Sequence, residues 1–175
     1  KKLGDKIYTS KKISINPLIS KNFFYTKKKP KVLLAINEVS LLRQTKQTSS
    51  IKIKKNNKIL LCNLTGDGIV VSTPVGSTAY NYSLGGPILT LKSGKIVITP
   101  ISPFKPRNWK SKIISNNSLI SIENLKKKRP ISLVADNTEL RNIKKTTIKI
   151  NRKLKIKILF EKKRNYLTKI KYLSS

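Results

Sequence analysis

Short apolar groups separated by turn residues dominate the pattern of this chain. Residues 32–36 (Val-Leu-Leu-Ala-Ile) are the first group with clear strand character. Ile51 and Ile53 alternate with lysines, Asn56-Asn57 supplies a turn, and residues 59–64 return, which predicts a hairpin. Further strands are predicted over 69–72, 96–99, 119–122 and 131–134. Over 148–150 and 154–158, isoleucine or leucine alternates with lysine at period two, the mark of a half-buried strand. One short central helix is predicted after Ser77, capped by that serine and ended by Gly85-Gly86. Residues 161–173 carry the pattern of a second, C-terminal helix. Strands dominate without alternating with helices, so the expected fold class is all-β, a β-rich sandwich.

The lysine-rich residues 1–30 close on Lys27-Lys28-Lys29-Pro30 and read as a connecting segment. Residues 31–150 read as the β-rich domain, and 151–175 as a last strand and tail. At 175 residues and 38% hydrophobic, one domain can bury roughly 70% of its unfolded surface. No apolar run reaches the length of a membrane span, and the first residues lack the apolar stretch of a secretion signal. With Cys62 alone there is no internal disulfide to expect, and without His there is no thiolate–imidazole pair or zinc cluster. A reducing, cytoplasmic setting is therefore expected, with no membrane partner and no metal site. The chain contains no Met and so reads as processed or as a fragment.

A net charge of +32 invites a nucleic-acid reading, since a basic protein binds a polyanion by releasing counterions. The excess is nearly all lysine, spread from end to end together with abundant Ile and Asn, three residues with AT-rich codons. Arginine, the residue that forks onto phosphates and guanines, is scarce. Charge alone speaks to non-specific binding, so a specific nucleic-acid partner is not the expectation.

Candidate chemistry is concentrated in Thr65-Gly66-Asp67-Gly68-Ile69-Val70-Val71-Ser72-Thr73-Pro74-Val75-Gly76-Ser77-Thr78-Ala79-Tyr80. This is a strand ending in a Gly/Ser/Thr-rich turn that leads into a short helix. It gathers N–H groups, hydroxyls and one ring at a point suited to an anionic or nucleotide ligand. Two of the seven carboxylates stand out by position. Glu38 follows the strand 32–36, and Asp67 lies between glycines just before a buried strand. Structural roles compete for both: a salt bridge from Glu38 to Arg43 or a lysine, and a backbone-bonded turn for Asp67.

Five spaced motifs occur in order: Asn37-Glu38-Val39-Ser40-Leu41-Leu42-Arg43, the Asp67-Gly68 strand, Thr73-Pro74-Val75-Gly76-Ser77-Thr78-Ala79-Tyr80, Gly85-Gly86-Pro87, and Thr99-Pro100-Ile101-Ser102-Pro103. Together they closely resemble the carboxy-terminal part of the NAD kinases, over roughly residues 15–140. Ser102-Pro103-Phe104-Lys105-Pro106-Arg107-Asn108-Trp109 and Ala135-Asp136-Asn137-Thr138-Glu139 look most like the alphaproteobacterial branch. The resemblance implies that Asn37 and Glu38 contact the NAD ribose and that Asp67 binds the nicotinamide side. It implies that Thr78, Ala79, Tyr80 and Ser83 hold the adenosine half, with Val75 and Asp136 as further candidates. It also implies NAD and NADP as ligands, ATP with a divalent metal (Mg) for phosphoryl transfer, and a homo-oligomer, dimer or tetramer. Two positions depart from the pattern. Val75 stands where the family commonly has a small or hydroxylated residue, and Asn137 replaces a His, so nothing titrates near neutrality there.

Phosphoryl transfer needs an activated nucleophile and a cradle for the donor phosphates. The family supplies them from an α/β domain carrying a Gly-Gly-Asp-Gly-Thr loop, which these residues lack. In Gly66-Asp67-Gly68-Ile69, isoleucine stands where the loop requires Thr, so Asp67 is not assigned as the catalytic base and no catalytic residue is named. The chain then reads as the NAD-binding and oligomerising portion of an NAD kinase, inactive by itself. The alternatives are a degenerate, non-catalytic relative and a basic β-rich nucleic-acid-binding protein.

Overall fold

The computed structural model describes residues 11–26, 29–160, 166, 170 and 172. Its strands are β1 (Lys11–Ile15), β2 (Leu18–Phe24), β3 (Lys31–Ala35), β4 (Glu38–Arg43), β5 (Ser49–Lys55), β6 (Lys58–Gly66) and β7 (Gly68–Ser72). A 3-10 turn (Gly76–Thr78) and one helical turn, α1 (Tyr80–Ser83), follow. The chain continues through β8 (Lys95–Ile101), β9 (Lys112–Ser115), β10 (Ile120–Asn124), β11 (Ile131–Ala135), β12 (Thr138–Leu140), β13 (Ile143–Ile150) and β14 (Ile156–Phe160). The fold is all-β, as the strand patterns predict. The helix expected over 161–173 lies outside the described residues, apart from Tyr166, Ile170 and Tyr172, which are helical.

The chain divides into two units. Pro17–Asn151 holds two six-stranded antiparallel sheets, in the orders β3-β2-β13-β10-β5-β6 and β12-β11-β4-β7-β8-β9. Residues 1–30, read from sequence as a connecting segment, supply β2 to the first sheet. In the other unit β1 pairs with β14, setting Ile13 opposite Ile158, and Asn16 Nδ2 donates to the Leu154 carbonyl at 2.7 Å.

Alternation fixes which face of each strand turns inward. Ile51, Ile53, Ile120, Ile122 and Ile148 of the first sheet join Val39, Leu41, Ile69, Val71, Ile96, Ile98 and Leu133 of the second in one buried cluster. Each such side chain contributes roughly 1.5–3 kcal/mol when fully removed from water. The predicted hairpin is β5–β6, and Asn56 and Asn57 both take positive φ (48° and 65°), as a two-residue turn of this type requires.

β7 is buried on both faces. One side faces the core, and the other is covered by α1, whose Asn81 accepts a hydrogen bond from Thr99 of the neighbouring β8 at 2.6 Å. This double burial explains the unbroken apolar run at 69–71. Ser77 does not cap α1, contrary to the sequence expectation. It lies inside the 3-10 turn, where its hydroxyl donates to the Pro74 carbonyl at 2.7 Å and accepts from the Leu89 amide at 2.9 Å. The helix does stop at the glycines. Gly85, at φ 71°, donates to the Tyr82 carbonyl, and Gly86 donates to that of Asn81.

Candidate functional site

The β3–β4 turn carries Asn37 and Glu38 and is held from two sides. On one side, the Asp136 carboxylate accepts three backbone N–H groups. Oδ2 takes that of Ile36 at 2.7 Å, and Oδ1 takes those of Asn37 at 2.9 Å and Glu38 at 3.2 Å. The Asp136 amide returns a bond to the Glu38 carbonyl at 3.1 Å. Asp136 can do this because it occupies the β11–β12 turn at φ 50°, a conformation that Asp tolerates better than most residues. On the other side, Thr73 donates through its amide to the Asn37 carbonyl (2.9 Å) and through Oγ1 to that of Ile36 (2.7 Å). Gly76 then lies so close that a Cβ there would sit 2.1 Å from the Asn37 carbonyl oxygen.

Glu38 is half-buried, and its Oε2 is buried with no hydrogen-bond partner. Burial first, and the nearby Asp136 carboxylate second, push its pKa from the ordinary 4.5 up to about 7. Arg43, the salt-bridge partner considered for Glu38, pairs with Asp67 instead. Its Nε lies 2.5 Å from Asp67 Oδ1, its NH1 donates to the Thr45 carbonyl, and its amide donates to the Asp67 carbonyl. Asp67 therefore joins β6 to β7 as an ion-paired residue. The glycine after it is forced by packing, since a Cβ on Gly68 would lie 1.9 Å from the Leu41 carbonyl oxygen.

β4 and β7 set these groups apart. Glu38 is opposite Ser72 at one end of the pair, and Leu42 is opposite Gly68 at the other. Arg43 lies five steps along the strand from Glu38, about 17 Å at the usual rise. Tyr80 is the first residue of α1 and is half-buried. Its phenol pKa is raised by burial, then by Asp67, then by Glu38, so its ring lies in the field of both carboxylates.

Of the other expected residues, Thr78 is buried and its hydroxyl donates to the Val75 carbonyl at 3.2 Å. Ala79 links the 3-10 turn to α1. Ser83 is exposed and borders a cleft of about 550 Å³, shared with Pro87, Thr99, Trp109, Lys110 and Ser111. Val75 is half-buried.

Sequence reasoning missed Asn81, the residue that holds this segment in shape. It is fully buried, donates to the Ser77 and Pro87 carbonyls at 3.0 Å each, and accepts from Thr99. Its sequence signal is slight, an Asn four residues after Ser77 on a helical turn whose other residues are partly or fully exposed. Thr73 was also missed as the clamp on the Asn37 turn.

Among the described residues no three His, Cys, Asp or Glu side chains gather as a metal-binding group. The close pair Glu38 and Asp136 is also unsuited by chemistry. The oxygens of one are occupied by amides, and the other is disfavoured as an anion.

A family model for the ATP-NAD kinase C-terminal domain matches residues 36–155. The NAD kinase of Zymomonas mobilis is 47% identical over 132 residues, covering 75% of this chain and 51% of that protein. The NAD kinase of Brucella suis is 38% identical over 166 residues, covering 94% of this chain and 64% of its own length. The chain thus spans about half to two thirds of the curated relatives it matches. A crystal structure of yeast NADH kinase complexed with NADH shares the fold at a TM-score of 0.84 and 22% identity, over 94% of this chain and 49% of that one. An NAD kinase from Archaeoglobus fulgidus in complex with ATP matches at 0.74 and 21%, over 92% and 61%. With five motifs in order, the clamped Asn37-Glu38 turn and a family model across more than half its length, this chain belongs to the NAD kinases, as their carboxy-terminal domain.

Proposed function

We propose that this domain grips NAD for a kinase that phosphorylates the adenosine ribose 2′-hydroxyl to make NADP. The observation that carries the reading is the Asn37-Glu38 turn, clamped by Asp136 and Thr73 at one end of the β4–β7 pair, with Arg43 fixing Asp67 at the other. Tyr80 lies on α1, which packs against β7 between them, and burial first and then both carboxylates raise its phenol pKa. Asn37 and Glu38 face a nucleoside from a rigid turn. Asp67, held by Arg43 through one oxygen, has the other for a ligand N–H or O–H. Tyr80 offers a ring for stacking and a phenol for hydrogen bonding. Thr78 serves from inside, by shaping the loop, while Ala79 and Ser83 border the adenosine half.

The donor ATP and its metal belong to the whole kinase. Among the described residues no acidic cluster gathers for a divalent cation, and the sequence has no Gly-Gly-Asp-Gly-Thr loop to cradle phosphates. Phosphoryl transfer is assigned to the longer protein and not to this domain alone. A homo-oligomer is part of the proposal. It is supported by the exposed apolar row Val32, Leu34 and Ile36 at the β3 edge of the first sheet.

Calorimetric titration with NAD, at concentrations where light scattering defines the assembly, tests the reading. Binding should weaken at least tenfold in Tyr80→Ala and in Asp67→Ala. No heat with NAD or NADP, even from the assembled oligomer, would remove the reading.

A further inference from the structure

We propose that Asp136 is a positioning residue, and that through it Glu38 meets the ligand as a neutral acid that donates a hydrogen bond. This deepens the dinucleotide reading above and rests on it. Three amides converge on Asp136, so its oxygens are engaged as acceptors. The same bonds draw the Glu38 backbone against Asp136, reinforced by the return bond to the Glu38 carbonyl. Two neighbouring carboxyl groups with no cation between them do not both ionise readily. Among the described residues no lysine or arginine lies within ion-pair distance of Glu38; Arg43 is committed to Asp67. The titratable groups facing Glu38 are Asp136 from the β11–β12 turn and the Tyr80 phenol from α1, and neither is a cation near neutrality.

The proton therefore resides on Glu38. Oε2 is buried and receives no donor, so nothing there stabilises the anion, and the neutral carboxyl of this half-buried residue has a proton to donate to a ligand. The matching ligand atom is a ring nitrogen or a sugar oxygen with a free lone pair, and not an N–H. The raised pKa of Glu38 agrees with this assignment.

The test has a ligand-free arm and a ligand arm, both on the full chain. Carboxyl carbon NMR should show one glutamate titrating near pH 7, absent in Glu38→Gln and moved to lower pH in Asp136→Asn. NAD affinity of the wild type should fall about tenfold between pH 6 and pH 8, as the acid form of a group centred at 7 declines from about nine-tenths to one-tenth. Glu38→Gln keeps an N–H donor and should bind NAD with no pH dependence over that range. A merely structural role for Asp136 would leave both pH profiles unmoved. A Glu38 that titrates as an ordinary carboxylate, or wild-type binding that is flat with pH, overturns the proposal and leaves the dinucleotide reading standing. Absence of binding at every pH overturns the dinucleotide reading, and the ligand half of this proposal with it. Should Asp136→Asn fail to fold, the wild-type titration and Glu38→Gln still decide the outcome.

Discussion

Arg43 and Asp67 are joined twice, by Nε to Oδ1 at 2.5 Å and by the Arg43 amide to the Asp67 carbonyl at 2.9 Å. The backbone bond fixes where Asp67 starts, and the guanidinium fixes where its carboxylate points. Both side chains are about one-third exposed (34% and 33%), so the pair adds little stability, ~1 kcal/mol at most. Its value lies in aim. Arg43→Ala should therefore lower the urea midpoint only slightly while weakening NAD binding about tenfold, roughly 1.4 kcal/mol. Arg43→Lys should recover little, because an ammonium cannot serve Asp67 and the Thr45 carbonyl with one planar fork. A double-mutant cycle with Asp67→Ala checks the origin of the loss. Additive losses in affinity would show that Arg43 does not act through Asp67.

Gly76 separates site geometry from stability in a different way. A methyl group there would sit 2.1 Å from the Asn37 carbonyl oxygen and 2.7 Å from its Cα, so the turn bearing Asn37 and Glu38 has to move. Gly76→Ala should cost ~1–3 kcal/mol by denaturant unfolding and abolish measurable NAD binding in the folded fraction. Gly94→Ala is the matched control. At φ 64° it is strained, but nothing lies within 4 Å of its Cβ, so it should lose about 1 kcal/mol and bind NAD as before.

What the sequence disclosed about this fold follows from how local each signal is. The β5–β6 hairpin was legible because Asn56-Asn57 and the flanking alternation specify it within a few residues. The sequence pattern does not mark β4 as a strand. Its Glu38–Arg43 segment is buried on consecutive positions, Val39 to Leu41, and shows no alternation. β9 and β12 are three or four residues long and are defined by the partners beside them. The site divides in the same way. Motif order picked out Asn37, Glu38, Asp67 and Tyr80. The bonds that aim them come from Asp136, about a hundred residues away, and from Arg43, Thr73 and Asn81. Ser77 resembled a helix cap because its spacing fits one, but the bond to Leu89 across the loop prevailed over the local option.

The core holds a polar cluster that the apolar pattern would not suggest. Asn22 and Thr146, both fully buried, face each other across β2 and β13. Thr146 Oγ1 donates to Asn22 Oδ1 at 2.6 Å, and Asn22 Nδ2 donates to Ser20 Oγ at 3.1 Å. Thr146→Val conserves shape but leaves the buried Asn22 Oδ1 without this donor, which should cost ~1–3 kcal/mol by urea unfolding. Removing Asn22 as well, in Asn22→Leu with Thr146→Val, should recover part of that loss, since the stranded Oδ1 goes with it, although the buried Ser20 Oγ gives up its bond from Nδ2. A double variant less stable than the sum of the singles would contradict this account.

Glu38 makes the stability of the protein depend on pH in a direction opposite to that of most carboxylates. The folded state retains its proton up to about pH 7, whereas the unfolded chain releases it around the ordinary 4.5. Between those values the folded state binds more protons, so this group's contribution falls as pH rises through the window and levels off above 7. Glu38→Gln carries no such proton and should be spared the decline. The advantage of the variant over the wild type should be near zero at pH 4.5, grow through pH 6, and reach a plateau by pH 8. The carboxyl is only half-buried, so the plateau is discounted to about 1 kcal/mol, or roughly 2–4 °C in melting temperature for a domain of this size. Thermal denaturation of both proteins across this range measures it, and taking the difference cancels the titration of the other carboxylates. A difference that stays constant with pH would mean that Glu38 ionises normally and that the burial of its Oε2 carries no electrostatic cost.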